Sequence, residues 1–134
     1  MNTKIYSKQD PTKLLHMIVR EVEDGRTNLC ENGQFLQCAA LKLPKGTTFK
    51  AHRHNWNIVN DIRLAQESWV VISGCVRVFF YDTDGTLLYS GIVNPGEASF
   101  TFEGGHNYEL LEDCTIFEYK TGPYVGVKHD KTFI

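Results

Sequence analysis

The chain has 134 residues and a mass of 15.3 kDa, which suffices for one hydrophobic core and one domain. Its composition, 42% hydrophobic and 22% charged, is typical of a globular protein and excludes a disordered chain. Lys plus Arg number 14 against 16 for Asp plus Glu, a net charge of -2, and this lack of basic excess argues against nucleic acid as the main partner.

We expect neither a membrane-spanning helix nor a signal peptide. No apolar run reaches the roughly 18 residues that a membrane-spanning helix needs, and the polar residues 1–10 lack the apolar region of a signal peptide. The four cysteines are far apart and form no Cys-x-x-Cys pair. We therefore expect a cytoplasmic protein whose cysteines are free thiols.

Residues 10–23 are the only stretch with helical spacing. Asp10 suits a helix N-cap, Pro11 suits the first helical position, and apolar residues recur on one side of the next two turns. These features predict a short N-terminal helix, although residues 18–22 would also suit a strand. We expect residues 1–34 to form an arm, with or without that helix, that packs on the main domain.

From residue 34 onward, apolar and β-branched segments alternate with turn signals. The predicted strands are residues 35–43, 47–54, 68–73, 75–81, 87–93, 98–102, 106–111 and 115–120. The turns include Asp84-Gly85 and Asn94-Pro95-Gly96. Many short strands with tight turns predict an all-β barrel or sandwich. Residues 55–66 have no strand period and are expected to form a long, functional loop.

Four residues have the side chains of a metal site. His52 and His54 stand two apart, so on a strand their imidazoles share one face about 6–7 Å apart. Glu67 opens an apolar strand, where it is either exposed or buried beside a cation, since an unpaired buried carboxylate is costly. His106 begins a later strand. Three imidazoles and one carboxylate suit Fe(II), Mn(II), Ni(II), Zn(II) or Cu(II).

Other side chains are candidates for roles near this ion. Lys50 and Tyr108 should share a face with the ligands and are the candidate catalytic residues, although Tyr108 could simply pack in the barrel. Glu118 could accept a hydrogen bond from an imidazole or be a solvated edge charge. Trp56 and Arg63, in the long loop, could cover a sugar ring and an anionic group or merely close the barrel end.

The histidines and Glu67 resemble the first motif of the cupin superfamily, G(X)5HXH followed by E(X)6G. Gly46 precedes His52 by five intervening residues, and Glu67 precedes Gly74 by six. The gap of twelve residues between His54 and Glu67 is longer than the family's usual gap of about three or four.

The second cupin motif, G(X)5PXG(X)2H(X)3N, is matched in part. Gly96 and Gly104 keep their mutual spacing, while Phe102 stands at the proline position. His106 is one residue early and Asn107 takes the histidine position. The motif therefore leaves open whether His106 or Asn107 faces the metal.

The C-terminal residues 117–124 and 130–133 resemble the ending of small single-domain cupins encoded among bacterial surface-polysaccharide genes, the WbuC-like group. The resemblance covers about residues 35–134. It implies a cupin barrel, also called a double-stranded β-helix or jelly roll, over those residues. It also implies a homodimer and a metal in the barrel mouth, held by His52, His54, Glu67 and His106.

Three functions are compatible with this interpretation. The ion could act as a Lewis acid on a sugar or another oxygen-rich metabolite, giving an isomerase or epimerase with Tyr108 as the base, or Glu67 if it is not a ligand. An Fe(II) ion could instead support dioxygenase chemistry. The barrel could also hold a small molecule without catalysis. In each case we expect a small-molecule ligand in the barrel mouth.

Overall fold

The structure is a computed structural model. It describes the backbone of residues 2–54, 56–57, 63–122 and 131–133, and the side chains of these residues except those of 54, 56, 57, 63, 64 and 131. The strands, in chain order, are β1 (Thr3–Tyr6), β2 (Leu14–Ile18), β3 (Gly25–Asn28), β4 (Leu36–Leu43), β5 (His52–His54), β6 (Trp56–Asn57), β7 (Arg63–Leu64), β8 (Glu67–Ser73), β9 (Val76–Tyr81), β10 (Leu87–Val93), β11 (Ala98–Thr101), β12 (Gly105–Leu110), β13 (Cys114–Thr121) and β14 (Lys131–Phe133).

Two five-stranded sheets form the body of the fold. One has the order β10-β9-β12-β5-β14 and the other the order β11-β8-β13-β4-β3. All the strand pairs are antiparallel. The sheets pack face to face as a jelly roll, so the predicted all-β fold class is confirmed.

The core lies between the inner faces of the two sheets. Buried residues alternate along the strands, as in β13, where Cys114, Ile116 and Glu118 are buried. This period of two places one face of each strand inward. The core is built mainly of aliphatic side chains and two rings: Leu41, Trp69, Val71, Val76, Val78, Val93, Tyr108, Leu110, Cys114 and Ile116.

The predicted N-terminal helix is wrong. Residues 14–18 form strand β2, which pairs with β1 in an antiparallel hairpin. The Asp10 carboxylate accepts hydrogen bonds from the backbone N–H and the hydroxyl of Thr12. The same interaction can cap a helix or close a turn, and here it closes the hairpin turn. The division into an arm, residues 1–34, and a barrel, residues 35–134, stays a prediction.

The other predicted strands match the structure closely. The predicted strand 47–54 is shorter, because regular pairing begins at His52 and Thr48 makes only an isolated bridge to Glu109. Within the predicted loop 55–66, residues 56–57 and 63–64 form the short pair β6–β7. Among the described residues there is no helix long and apolar enough to cross a membrane.

Two glycines of the first cupin-like motif occupy left-handed backbone. Gly46 has φ +89° and Gly74 has φ +79°, a region that side chains disfavour. A Cβ at Gly46 would meet no atom within 4 Å, whereas a Cβ at Gly74 would overlap the carbonyl oxygen of Asp113 and lie 2.6 Å from the sulfur of Cys114. Only Gly74 is therefore needed for close packing as well as for its φ.

Replacing these two glycines by alanine separates the two effects. We expect Gly46→Ala to lower the free energy of unfolding by about 1 kcal/mol, the cost of a positive φ. Gly74→Ala should cost about 1–3 kcal/mol more, because the backbone of residue 113 must move. Equal losses for the two variants in urea unfolding would contradict the close approach at Gly74.

Candidate metal centre

Three of the four predicted ligands converge inside the barrel. His52 and His106 lie on the neighbouring strands β5 and β12, where their Cα atoms are register partners. Glu67 is the first residue of β8, in the opposite sheet. The ligand set is thus assembled across the space between the two sheets.

The three side chains are buried and in close contact. His106 is fully buried, and His52 and Glu67 are each 7% exposed. The Nε2 atom of His106 lies 2.8 Å from Oε2 of Glu67 and 3.1 Å from Nε2 of His52. One ligand atom from each residue lies within 4.8 Å of the other two, so the three residues could hold a metal ion.

Hydrogen bonds behind the imidazoles orient them toward one another. Nδ1 of His52 lies 2.9 Å from the carbonyl oxygen of Lys50. Because a carbonyl only accepts, Nδ1 carries the proton, and a neutral His52 offers a lone pair at Nε2. Nδ1 of His106 lies 2.8 Å from the Thr101 hydroxyl, whose oxygen can accept a hydrogen bond from Nδ1–H when Nε2 binds a metal.

The observed spacing fits a transition ion. Bonds of about 2.1 Å at right angles place two ligand atoms about 3.0 Å apart, and the distances from His106 are 2.8 and 3.1 Å. Two nitrogens and one carboxylate oxygen are donors that Fe, Mn, Ni, Zn and Cu accept. The residues present therefore fit the metal that the sequence predicts.

The structure shows which of His106 and Asn107 faces the candidate metal site. His106 faces the buried cluster, while the Asn107 side chain accepts a hydrogen bond of 2.9 Å from the Tyr81 hydroxyl. Adjacent residues of a strand point to opposite faces, so Asn107 lies on the other side of β12. His54 has its backbone in β5, but its side chain lies outside the described residues.

The two candidate catalytic residues lie in different surroundings. Lys50 is exposed, and its Nζ atom lies 4.8 Å from the ring centre of Phe133. Phe133 is in turn 6.3 Å from the His52 ring. Tyr108 is buried, and its hydroxyl lies 3.4 Å from Nδ1 of His106. Tyr108 thus sits behind the imidazole, on the side away from Glu67 and His52.

Burial raises the pKa of Tyr108 well above its ordinary value, and the negative charge of Glu67 raises it further. The phenol is therefore protonated at neutral pH. It can donate or accept a hydrogen bond.

Glu118 has neither of the two roles considered from the sequence. It is buried, and its carboxylate binds the Arg26 guanidinium through both oxygens, at 2.6 and 3.2 Å. Oε2 also accepts a hydrogen bond of 2.9 Å from the Trp69 indole. The Trp69 ring stacks on Tyr108 at 3.8 Å. The sequence predicts that Tyr108 shares a face with the predicted ligands, but no local pattern in the sequence indicated that Arg26 reaches Glu118.

The loop residues Trp56 and Arg63 begin or end short strands, and their side chains lie outside the described residues. Their role as a lid stays a prediction. All four cysteines are free, as the sequence predicts.

Solved structures share the fold at low sequence identity. The capsular polysaccharide assembling protein CapF from Staphylococcus aureus matches 85% of this chain at 19% identity, with a TM-score of 0.66. A structure of CapF with the inhibitor 3-isopropenyl-tropolone matches 93% at 18% identity, also with a TM-score of 0.66. Oxalate decarboxylase from Bacillus subtilis matches 84% at 18% identity, with a TM-score of 0.62.

The lengths of these proteins differ from that of this chain. The matched region is 31% of the S. aureus CapF chain, 36% of the inhibited CapF chain and 29% of the oxalate decarboxylase. A conserved protein of unknown function from Streptococcus pyogenes is matched over 82% of its length and 81% of this chain, at 12% identity and a TM-score of 0.56. No family model and no curated protein matches this chain.

The pKa of Tyr108 predicts how stability depends on alkaline pH. Above pH 10 the tyrosine ionises in the unfolded chain but not in the folded one, so the stability that it contributes is present below pH 10 and falls as the pH rises. We expect the free energy of unfolding of metal-free protein to fall more steeply than that of Tyr108→Phe, by about 1.4 kcal/mol per pH unit. Parallel curves between pH 10 and 12 would show that Tyr108 ionises normally in the fold.

Proposed function

We propose that the protein is a metal-binding cupin in which His52, Glu67 and His106 hold a divalent transition ion. The observation that carries this proposal is the contact of His106 Nε2 with both Glu67 and His52 inside a buried site. Glu67 offers only lone pairs, and so does His52 at Nε2 when its proton is on Nδ1. One divalent cation can be bound by all three of these side chains together.

The positive charge of the metal-loaded site favours an anionic or polarised ligand. Two neutral imidazoles, one carboxylate and a divalent ion leave a net charge of about +1. The bound ion would act as a Lewis acid toward an oxygen of the ligand. An anionic or strongly polarised pair of oxygens complements this charge. Lys50, exposed beside Phe133 near His52, is suited to bind an anionic group of the same molecule.

We infer a sugar or another oxygen-rich metabolite as the ligand. The likeness to CapF, a capsular polysaccharide assembling protein, supports this class, as does the resemblance of the C-terminal residues to the WbuC-like group. An isomerase or epimerase reaction fits such a ligand. Tyr108 would then act through His106, because its hydroxyl contacts Nδ1 of that residue.

We also propose that the protein works as a cytoplasmic homodimer. Large apolar side chains are exposed at the end of the sheet near Glu67, where they line a cleft of about 180 Å³: Phe35, Leu36, Phe100, Phe102 and Tyr119. Contiguous exposed apolar surface of this kind is typical of a contact between proteins.

Metal loading tests the site directly. Protein purified without chelator, or metal-free protein exposed to Fe(II), Mn(II), Ni(II), Zn(II) or Cu(II), should retain about one equivalent by elemental analysis. Glu67→Gln keeps the shape but removes the charge, and His52→Ala removes an imidazole. Each should weaken binding at least about tenfold.

His16→Ala is the matched control, because His16 is exposed on β2. It should bind metal like the unchanged chain. Less than about 0.1 equivalent of every ion after reloading, with the fold intact by circular dichroism, would overturn the proposal.

A chelating anion tests the ligand class. Tropolone, which offers two adjacent oxygens and one negative charge, should bind the metal-loaded protein. Binding should change the ultraviolet absorption of tropolone. Metal-free protein should bind tropolone at least about tenfold more weakly, because the positive charge of the ion is absent. Lys50→Met should weaken the binding of a tropolone carrying a carboxylate more than that of tropolone itself. Equal affinity for loaded and metal-free protein would instead indicate a barrel that binds small molecules without metal.

A further inference from the structure

The metal ligands rest on a second layer of side chains inside the barrel. On β8, Trp69 lies two residues after Glu67, and on β12, Tyr108 lies two residues after His106, so each pair shares a face. Glu67 meets His106 across the gap between the sheets at 2.8 Å. In the next layer Trp69 meets Tyr108 with ring centres 3.8 Å apart and planes within 7° of parallel.

The ring stack sets the distance between the sheets next to the site. Two stacked rings are incompressible and resist sliding, and each ring is on the same strand as a ligand. A rotation of the Trp69 ring would end the stack and let β8 and β12 shift at the layer of Glu67 and His106. The ligand spacing therefore depends on what holds the indole in place.

A buried ion pair holds the indole. The carboxylate of Glu118 accepts a hydrogen bond of 2.9 Å from the indole N–H of Trp69. It also accepts two hydrogen bonds, of 2.6 and 3.2 Å, from the forked guanidinium of Arg26. The Glu118 side chain is 7% exposed and that of Arg26 is 41% exposed. The buried negative charge of Glu118 is therefore balanced by the positive charge of Arg26, which lies on the edge strand β3. A charged carboxylate is a stronger and more directional acceptor than a neutral amide.

We propose that Arg26 and Glu118 are positioning residues of the metal centre, which act through the stacked rings of Trp69 and Tyr108 on the spacing of Glu67 and His106. This inference rests on the proposed metal site. It assigns to a distant ion pair an effect on metal affinity and coordination geometry, beyond its effect on the stability of the barrel.

Co(II) is the probe, because its visible absorption reports the coordination geometry. Glu118→Gln keeps the shape of the carboxylate and removes its charge, and Arg26→Lys keeps the charge and removes the fork. We expect each to bind Co(II) about three- to tenfold more weakly than the unchanged chain and to change the position or intensity of the visible bands. The thermal midpoint of the metal-free proteins is measured in parallel.

Two control variants carry the same substitutions on the outer face. Glu109→Gln and Arg77→Lys alter an ion pair of 3.7 Å between strands β12 and β9, whose side chains are 46% and 42% exposed. Both should leave the Co(II) affinity and spectrum unchanged. If Glu118→Gln does not fold, Arg26→Lys decides the question, because the partly exposed Arg26 tolerates replacement.

Trp69→Phe tests the path between the ion pair and the site. It keeps a ring that can stack but removes the indole N–H. If the effect passes through this bond, the double variant Trp69→Phe/Glu118→Gln should bind Co(II) no more weakly than the weaker single variant. The proposed path would be overturned if the losses of Co(II) affinity in the two single variants simply add in the double variant. It would also be overturned if Trp69→Phe weakens Co(II) binding while Glu118→Gln does not, because the effect would then pass through another contact of Trp69, such as its edge contact with Phe49.

The outcomes separate this inference from the proposed function. If the variants lower the thermal midpoint but bind Co(II) with the affinity and spectrum of the unchanged chain, Arg26 and Glu118 are structural only and the inference is wrong. If the unchanged chain itself binds no Co(II), the metal site is wrong and the inference falls with it.

Discussion

The contact of Glu67 with His106 across the two sheets is the interaction on which the rest of the site depends. It places a carboxylate and an imidazole 2.8 Å apart in a space from which solvent is almost excluded. Such a contact is stable only when the polar atoms are compensated, by a shared proton or by a cation. His52, 3.1 Å from the same nitrogen, adds a third side chain that could coordinate a cation.

The interior of the barrel is organised in layers around that contact. His52, Glu67 and His106 form one layer, the stacked rings of Trp69 and Tyr108 form the next, and aliphatic side chains fill most of the remainder. The ring layer joins a polar site to an apolar core, and its indole N–H is satisfied by Glu118. A buried polar network of this kind is stable only when its members are paired, which is why the Arg26 fork at the sheet edge matters to the centre of the molecule.

The sequence predicted the all-β fold well because the evidence for strands is local. Alternating apolar residues and turns with Gly, Pro and Asp mark strands within a few positions. The observed strands β8 to β13 lie close to the predicted ones. The N-terminal segment was predicted wrongly for the same reason. Asp10 and Pro11 suit a helix start and a tight turn equally, and only the pairing of β2 with β1 chooses between them.

Of the candidate site, the sequence alone determined the residue types: histidines and a glutamate at cupin-like spacing, with glycines where the backbone turns left-handed. Only the tertiary structure decided that His106 rather than Asn107 faces Glu67, since a single-residue shift in register reverses every side chain of a strand. The tertiary structure alone also joined Arg26 to Glu118, 92 residues apart. Spacing along a chain specifies the direction of a side chain within its own strand, whereas its partner across the barrel depends on how the two sheets are packed.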